Sequence, residues 1–270
     1  MTDVFRKNIY IIRESEGQTS PIRYGQGKIC SETFMRTVIR YYKDLWLQKS
    51  GAKPYKVAAE PLLGRALHYL FDPTRNGRHV VARRLLTGIS GKLLDIGCWG
   101  GEALASMGML QQFGEVFAVD LIEESVEKAR VHGVNSVLCD LNEGGLPFSD
   151  NIFDAVTCLA VIGAIFDPYL VLSEIYRVLK THGVLILNVP NVGSLPNRVR
   201  LLLGRLPVTS RDPGWDGGQL HYFTLFDTKK ALESKGCRVL KVHVSGGTQA
   251  LRQLWPSLLS GTLTFKAVKE

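Results

Sequence analysis

The sequence predicts an α/β fold built on a mainly parallel sheet, and three observations carry that expectation. From residue 91 onward, short β-rich runs alternate with longer helical patterns, as successive βα units do. Several of those runs are apolar almost throughout, which is how strands covered by helices on both faces read. The first run leads directly into a glycine-rich turn, LLDIGCWGGEA at 93–103.

The expected strands are KLLDI (92–96), VFAVD (116–120), SVLCD (136–140), FDAVTCLA (153–160) and GVLILNVP (183–190). Helical patterns fall near 101–112, 122–132 and 167–180, the last running into KTHG, where cationic residues and a glycine are expected to end a helix. The rhythm then fails over 191–222, a stretch rich in Gly, Pro and Arg and too long for an ordinary connection, so a lid or substrate loop at the carboxyl edge of the sheet is expected. Regularity resumes at FTLFDTKKALESKG, followed by CRVLKVHV (237–244), a short helix around ALRQLWPSLL, and a closing run TLTFKAV (262–268). Two late strands joined by so short a connection predict an antiparallel edge.

The first ninety residues differ in kind and read as a basic, mainly helical extension, residues 1–90, ahead of the domain at 91–270. Over 31–50, Phe34, Val38, Tyr41, Tyr42 and Leu45 recur at helical spacing, and a second helix is expected over 77–88. Residues 1–92 carry 17 Lys+Arg against 7 Asp+Glu, a balance of +10, whereas 93–270 carry 16 against 18, a balance of −2. The whole net charge of +8 is therefore N-terminal. Such an excess suits a solvated helical face, or a partner such as nucleic acid, an anionic membrane surface or an acidic substrate. A hydrophobic content of 45% is ample for a core. The five cysteines show no C-x-x-C pair and no metal-ligand spacing, so neither a disulfide framework nor a metal site is expected. No signal-peptide pattern and no apolar run long enough to span a membrane are found, and a cytoplasmic protein is expected.

A glycine-rich turn between a strand and a helix presents free backbone N–H groups and the positive end of the helix to a ligand, and glycine permits close approach. Dinucleotide enzymes use G-x-G-x-x-G there. The spacing in this chain is G-x-x-G-G, so that fingerprint is absent.

The segment 92–160 resembles class I S-adenosylmethionine (SAM)-dependent methyltransferases. The likeness rests on LLDIGCWGG, on acidic ends to strands two and three in VFAVD and LCDL, and on LPFSDNIFDAVTCLAVI. It continues through EIYRVLKTHGVLILNVPN and HYFTLFDTKKALESKGC, about 180 residues in all, with a further partial likeness to the methionine-biosynthesis W group. The resemblance implies a Rossmann-like, doubly wound sheet of seven strands in the order 3-2-1-4-5-7-6 with the last strand antiparallel. It implies SAM as cofactor, with Asp95, Gly97, Cys98, Trp99 and Gly100 at the methionine moiety. Asp120, followed by Leu121, matches the acceptor of the ribose hydroxyls, Asp140 and Leu141 the border of the adenine, and Leu159 and Ala160 the floor near the transferred methyl.

Taken singly, Asp95 also suits a turn cap, Asp120 a solvated strand end, and Cys139 and Cys158 core packing. His221 and Tyr222 are the candidate catalytic pair, His221 as a base and Tyr222 as a positioning neighbour; N-capping or core packing of His221 stays open. Arg198, Arg200, Arg205 and Arg211 suit a carboxylate or phosphate on the acceptor, or solvent. Arg75, Arg78 or His79 are candidates for closing the cofactor site from the N-terminal side, and His182 reads as a helix-end cation. A small-molecule acceptor is expected rather than nucleic acid, since the RNA-binding and zinc-binding signatures are missing. A non-catalytic SAM-binding accessory protein is the alternative of a different class.

Trp99 departs from the family pattern, because it stands where the middle glycine of G-x-G-x-G belongs. A tryptophan there predicts a backbone outside the strongly left-handed region, with Gly100 and Gly101 supplying the turn. Its indole is then expected either to pack on the N-terminal extension or to cover the methionine end of SAM.

Overall fold

A computed structural model of the chain describes residues 77–143, 145–207, 219–245 and 248–270. The helix expected over 31–50, most of the 1–90 extension, Arg75 and Arg211 lie outside the described residues. So does any packing of the Trp99 indole on that extension.

The described chain runs through α1 (Arg78–Leu85), β1 (Lys92–Ile96), α2 (Glu102–Ser106), α3 (Met109–Gln112) and β2 (Glu115–Asp120). It continues with α4 (Glu123–Val131), β3 (Asn135–Leu138), β4 (Phe153–Leu159), a single 3-10 turn (Ile162–Ala164) and α5 (Pro168–Val178). Then come β5 (Leu179–Pro190), α6 (Leu195–Leu202), α7 (Leu225–Ser234), β6 (Cys237–Val244), α8 (Gln249–Leu254), α9 (Pro256–Leu259) and β7 (Thr262–Lys269). The strands form one seven-stranded sheet in the order β3-β2-β1-β4-β5-β7-β6. The first five are parallel, and β7 runs antiparallel between β5 and β6. Fold class, strand order and antiparallel edge are those expected.

Both faces are covered, and the alternation of side chains explains why the strands are so uniformly apolar. In β1, Leu93 packs with Leu104, Met109 and the α1 residues Val81 and Leu85, whereas Leu94 and Ile96 pack with Ile175 of α5 and Leu232 of α7. Asp95 shares the face of Leu93, so its carboxyl is carried into an apolar layer by strand geometry alone.

Four boundaries differ from expectation, each for a local reason. The helix expected over 101–112 is broken into α2 and α3 at Gly108, whose φ is +69°. The helix expected over 167–180 starts on an Asp167 cap that accepts from the Leu170 N–H at 3.0 Å, but ends at Val178. KTHG is therefore not a helix terminus. It is the irregular start of β5, where Leu179 pairs with Phe153 and the register shifts, and His182 takes φ +64°. A Cβ on Gly183 would lie 2.8 Å from the Lys180 carbonyl oxygen, so the glycine is required by the bulge. Strand three stops at Leu138, which leaves Cys139 and Asp140 in the loop beyond it. Finally, 191–222 contains the short helix α6.

At the far end of the sheet, Lys269 is buried, and its ammonium donates to Asn151 Oδ1 (2.8 Å) and the carbonyls of Tyr176 (2.7 Å) and Leu179 (2.9 Å). It thereby ties the closing strand to the start of β5. Replacing it by methionine leaves these acceptors without a donor, so Lys269→Met is expected to lose about 2–4 kcal/mol of unfolding free energy in a denaturant titration.

Candidate functional site

Parallel strands β1, β2, β4 and β5 end at the same edge, and the loops leaving that edge hold the candidate residues. The turn after β1 is the tightest of them. Gly97, Trp99, Gly100 and Gly101 have φ of +76°, +47°, +88° and +74°. Trp99 is thus itself left-handed, contrary to the expectation that the neighbouring glycines would spare it. The reason lies in its amide, which donates to Asp120 Oδ2 at 2.9 Å and holds the strained backbone in place. The indole is 39% exposed. Close packing explains two of the glycines: a Cβ on Gly97 would collide with Val161, and one on Gly101 would press on the backbone of Ala129 in α4 at 3.1 Å.

Asp120, at the end of β2 and only 9% exposed, is the hub of this edge. Its Oδ2 accepts from Trp99 N and from the Ser125 hydroxyl, both at 2.9 Å, and lies 3.8 Å from the Cys98 sulfur. Its Oδ1 accepts from Ile122 N at 3.1 Å. A carboxylate oxygen takes about two donors. Oδ2 is therefore filled by the protein, and Oδ1 keeps room for one further donor.

Asp95 pairs across the sheet with Thr157, whose hydroxyl donates to its Oδ1 at 2.5 Å. Burial pushes the Asp95 carboxyl up to about 7, and the negative charge of Asp120 adds to the shift. A small cavity beside it is lined by His79, Leu104, Met107, Thr157 and Leu159. His79 of α1 therefore stands beside this site, with burial and the neighbouring Arg78 holding its imidazole down to about 4, so it is neutral at physiological pH.

Asp140 lies in the loop past β3. Its Oδ1 accepts from the backbone N–H and the side-chain amide of Asn142, at 2.8 and 3.0 Å. Its Oδ2 is buried and has no hydrogen-bond partner among the described residues. A buried, unpartnered carboxylate oxygen is an acceptor waiting for a donor. Leu121 and Leu141 follow the two carboxylates, both half-buried. Leu159, the last residue of β4, and Ala160 just past it are half-buried as well. Ala160 takes φ +64°, and its N–H donates to the Asn188 carbonyl at 3.0 Å.

His221 reaches this edge through its backbone, which donates to the Gly163 carbonyl at 3.1 Å. Its Nε2 lies 3.0 Å from the Phe166 carbonyl oxygen. A carbonyl only accepts, so this contact assigns the proton to Nε2 and leaves Nδ1 as the basic nitrogen. Tyr222 beside it is exposed. His182 lies at the start of β5, outside this cluster, and is no helix-end cation.

The four cysteines among the described residues are buried or half-buried free thiols. Burial pushes Cys98 and Cys158 up to about 12, and Cys139 and Cys237 up to about 11, so all four stay protonated thiols. Among the described residues there is no cluster of three or more His, Cys, Asp or Glu side chains able to hold a metal ion.

Residues 94–187 match the family model described as a methyltransferase domain. Over these residues the chain is similar to methyltransferases. The chain is 36% identical over 132 residues to a ubiquinone biosynthesis O-methyltransferase of Xanthomonas oryzae pv. oryzae, an alignment spanning 47% of this chain and 53% of that one. It is 36% identical over 110 residues to a ubiquinone/menaquinone biosynthesis C-methyltransferase of Desulfotalea psychrophila, spanning 39% and 44%. The chain thus spans about half the length of the curated relatives it matches. Among solved structures, a SAM-dependent methyltransferase of Thermotoga maritima, a possible histamine N-methyltransferase, superposes with a TM-score of 0.55 at 17% identity, covering 87% of this chain and all of that one. A SAM-dependent methyltransferase of Mesorhizobium loti gives 0.53 at 16% identity over 72% and 98%. These two likenesses concern the fold.

Two residues of this edge are not singled out by the sequence reading, Ser125 and Thr157. Ser125 sits in the first turn of the helix after Asp120, where a hydroxyl in D-x-x-x-x-S is within reach of the preceding strand end, and that spacing was a usable signal. Thr157 carried none, because its pairing with Asp95 depends on strand order. His79 was noted by its position alone.

Two expected outcomes follow from the strained turn and the buried carboxyl. Trp99→Gly is expected to stay within about 1 kcal/mol of the parent in unfolding free energy, whereas Trp99→Val, β-branched at a left-handed position, loses about 1–2 kcal/mol. The Asp95 carboxyl is raised from 3.8 to about 7 in the folded state, so between those values the folded chain binds more protons than the unfolded one and stability falls as pH rises. Asp95→Asn lacks that slope. Denaturation across pH should find it more stable than the parent above about 7, with the advantage shrinking as pH falls toward 3.8.

Proposed function

We propose that this chain binds SAM at the carboxyl edge of its sheet and transfers the methyl group to a small-molecule biosynthetic intermediate. The observation that carries the reading is the buried, unpartnered Oδ2 of Asp140, at the same edge as the left-handed glycine turn and Asp120. An adenine exocyclic amine is a donor of the kind that oxygen lacks, and Leu141 offers an apolar neighbour for the ring. The remaining acceptor capacity of Asp120 Oδ1 suits a ribose hydroxyl, with Leu121 next to it. Asp95, Gly97, Cys98, Trp99 and Gly100 would surround the methionine moiety, and Leu159 and Ala160 would lie near the reacting methyl.

SAM supplies an electrophilic methyl group on a sulfonium. The work left to the chain is to hold an acceptor in line with that methyl and to exclude competing nucleophiles. His221, protonated on Nε2 through Phe166, would offer Nδ1 to remove a proton from an acceptor that does not lose one readily, with Tyr222 as its positioning neighbour. The acceptor class draws support from the relatives, whose names place them in ubiquinone and menaquinone biosynthesis. A cytoplasmic setting agrees with the free thiols of Cys98, Cys139, Cys158 and Cys237. Among the described residues no helix is long and apolar enough to cross a membrane.

Calorimetric titration with SAM tests the reading. The parent is expected to bind, Asp120→Ala to lose binding, and Asp140→Ala to weaken it by roughly tenfold, the worth of one hydrogen bond to a charged acceptor. Methyl transfer from labelled SAM into a fractionated cell extract, lost in His221→Ala with SAM affinity retained, would establish catalysis. Binding of NAD in place of SAM would overturn the assignment, and SAM binding without any transfer would favour an accessory role.

A further inference from the structure

The helix α6 buries little of itself against the sheet. Of its eight residues only Asn197 is buried, and that side chain is spent on an amide donation to the Asn191 carbonyl at 3.3 Å. The aliphatic residues of the helix and of the turn after it face outward: Leu195, Val199, Leu201, Leu202, Leu203 and Leu206 are all exposed, with Leu202 at 86% and Leu203 at 66%. A helix that faces water ordinarily turns its apolar stripe to the core, and this one does the reverse. Six exposed aliphatics within twelve residues make a contiguous patch of the kind that marks an interaction surface.

The charge on the same segment says what kind of surface it meets. Residues 191–207 contain three arginines, Arg198, Arg200 and Arg205, and no acidic residue. Arg198 and Arg200 each use Nε to bond a backbone carbonyl, of Gly193 at 2.7 Å and of Leu206 at 2.8 Å, which draws their stems along the helix. Interleaved leucines and arginines without a single carboxylate are the pattern of a helix that lies in a bilayer interface, with leucines among the acyl chains and guanidinium groups on the phosphates. A protein partner would be read by shape and by mixed charge; an anionic bilayer needs only apolar area and positive charge, and those are what α6 presents.

Its place in the fold is as informative as its composition. Because β5 runs parallel to β1 and β4, α6 begins at the edge that carries the glycine turn, Asp120 and Asp140. Asn191 bridges to Phe223, and Val192 N–H donates to the Phe223 carbonyl at 3.0 Å, so the 220–226 segment stands beside the base of α6. That segment adds exposed Tyr222 and Phe226, aromatic residues of the type that sits at headgroup level.

The geometry points to α6 as a docking element for an anionic lipid surface, which brings the mouth of the candidate site against the bilayer. The inference is tested apart from the methyl-transfer reading, since the variants that probe it change α6 and the turn after it, which that reading does not use.

The test is co-flotation of the full chain with vesicles of phosphatidylcholine alone and of phosphatidylcholine mixed with phosphatidylglycerol. Binding is expected to the mixed vesicles, to weaken as salt is raised, and to fall by roughly tenfold or more in Leu202→Asp/Leu203→Asp. Arg198→Gln/Arg205→Gln is expected to lose the preference for the anionic vesicles. Because Arg198, Leu202, Leu203 and Arg205 are all exposed, both double variants should keep the parent's melting temperature and SAM titration, which separates failure here from failure of the methyltransferase reading. Three results would overturn the proposal: no flotation of the parent with mixed vesicles at low salt, flotation undiminished in the leucine variant, or a concentration-dependent dimer abolished by that variant without any vesicle binding. The last would make α6 an interface between copies of this chain.

Discussion

The carboxylate of Asp120 is the interaction on which the rest of the site depends. It gathers the Trp99 amide from the turn after β1, the Ile122 amide from the start of α4, and the Ser125 hydroxyl from that helix's first turn. The turn after β1 is thereby tied to the end of β2 and to the start of the helix that follows it. Each bond to a charged acceptor contributes about 1.5–3 kcal/mol, enough to hold Trp99 in a left-handed conformation that costs its backbone about 1–2 kcal/mol. The same negative charge, acting through a poorly solvated layer, helps to raise the neighbouring Asp95 carboxyl.

Sheet geometry explains why those groups meet at all. Parallel strands deliver every loop of one kind to one edge, and side-chain alternation decides which groups point into the layers. Asp95 points among Leu93, Leu104 and Met109 because it is two residues from Leu93. Thr157 faces it because β4 is the next strand. Gly97 is demanded by Val161, which approaches from the loop beyond β4, so a glycine in the β1 turn answers to a residue more than sixty positions away.

The carboxyl edge also shows two kinds of surface side by side. Around Asp95, Asp120 and Asp140 it is closely packed and polar, with nearly every acceptor satisfied and one oxygen of Asp140 left open. Around α6 it is apolar, basic and exposed.

Much of this was legible in the sequence for a simple reason: local patterns encode what depends on near neighbours. The apolar runs announced the strands within a few residues of their ends, the DIGCWGG turn announced a close backbone approach, and the acidic ends of VFAVD and LCDL marked Asp120 and Asp140. Where the sequence misled, the deciding force came from elsewhere in the fold. KTHG looked like a helix end, yet pairing with Phe153 pulls Leu179 into the sheet and makes the segment a bulge. Trp99 looked unable to turn left-handed, yet a carboxylate from β2 holds it there. By itself the sequence determined the α/β class, the order of the elements and the positions of the acidic strand ends, since these follow from periodicity and residue type. Only the tertiary structure decided that Asp120 is already bound by the protein, that Asp140 keeps an empty oxygen and that α6 faces outward, because each depends on what long-range packing leaves beside a side chain.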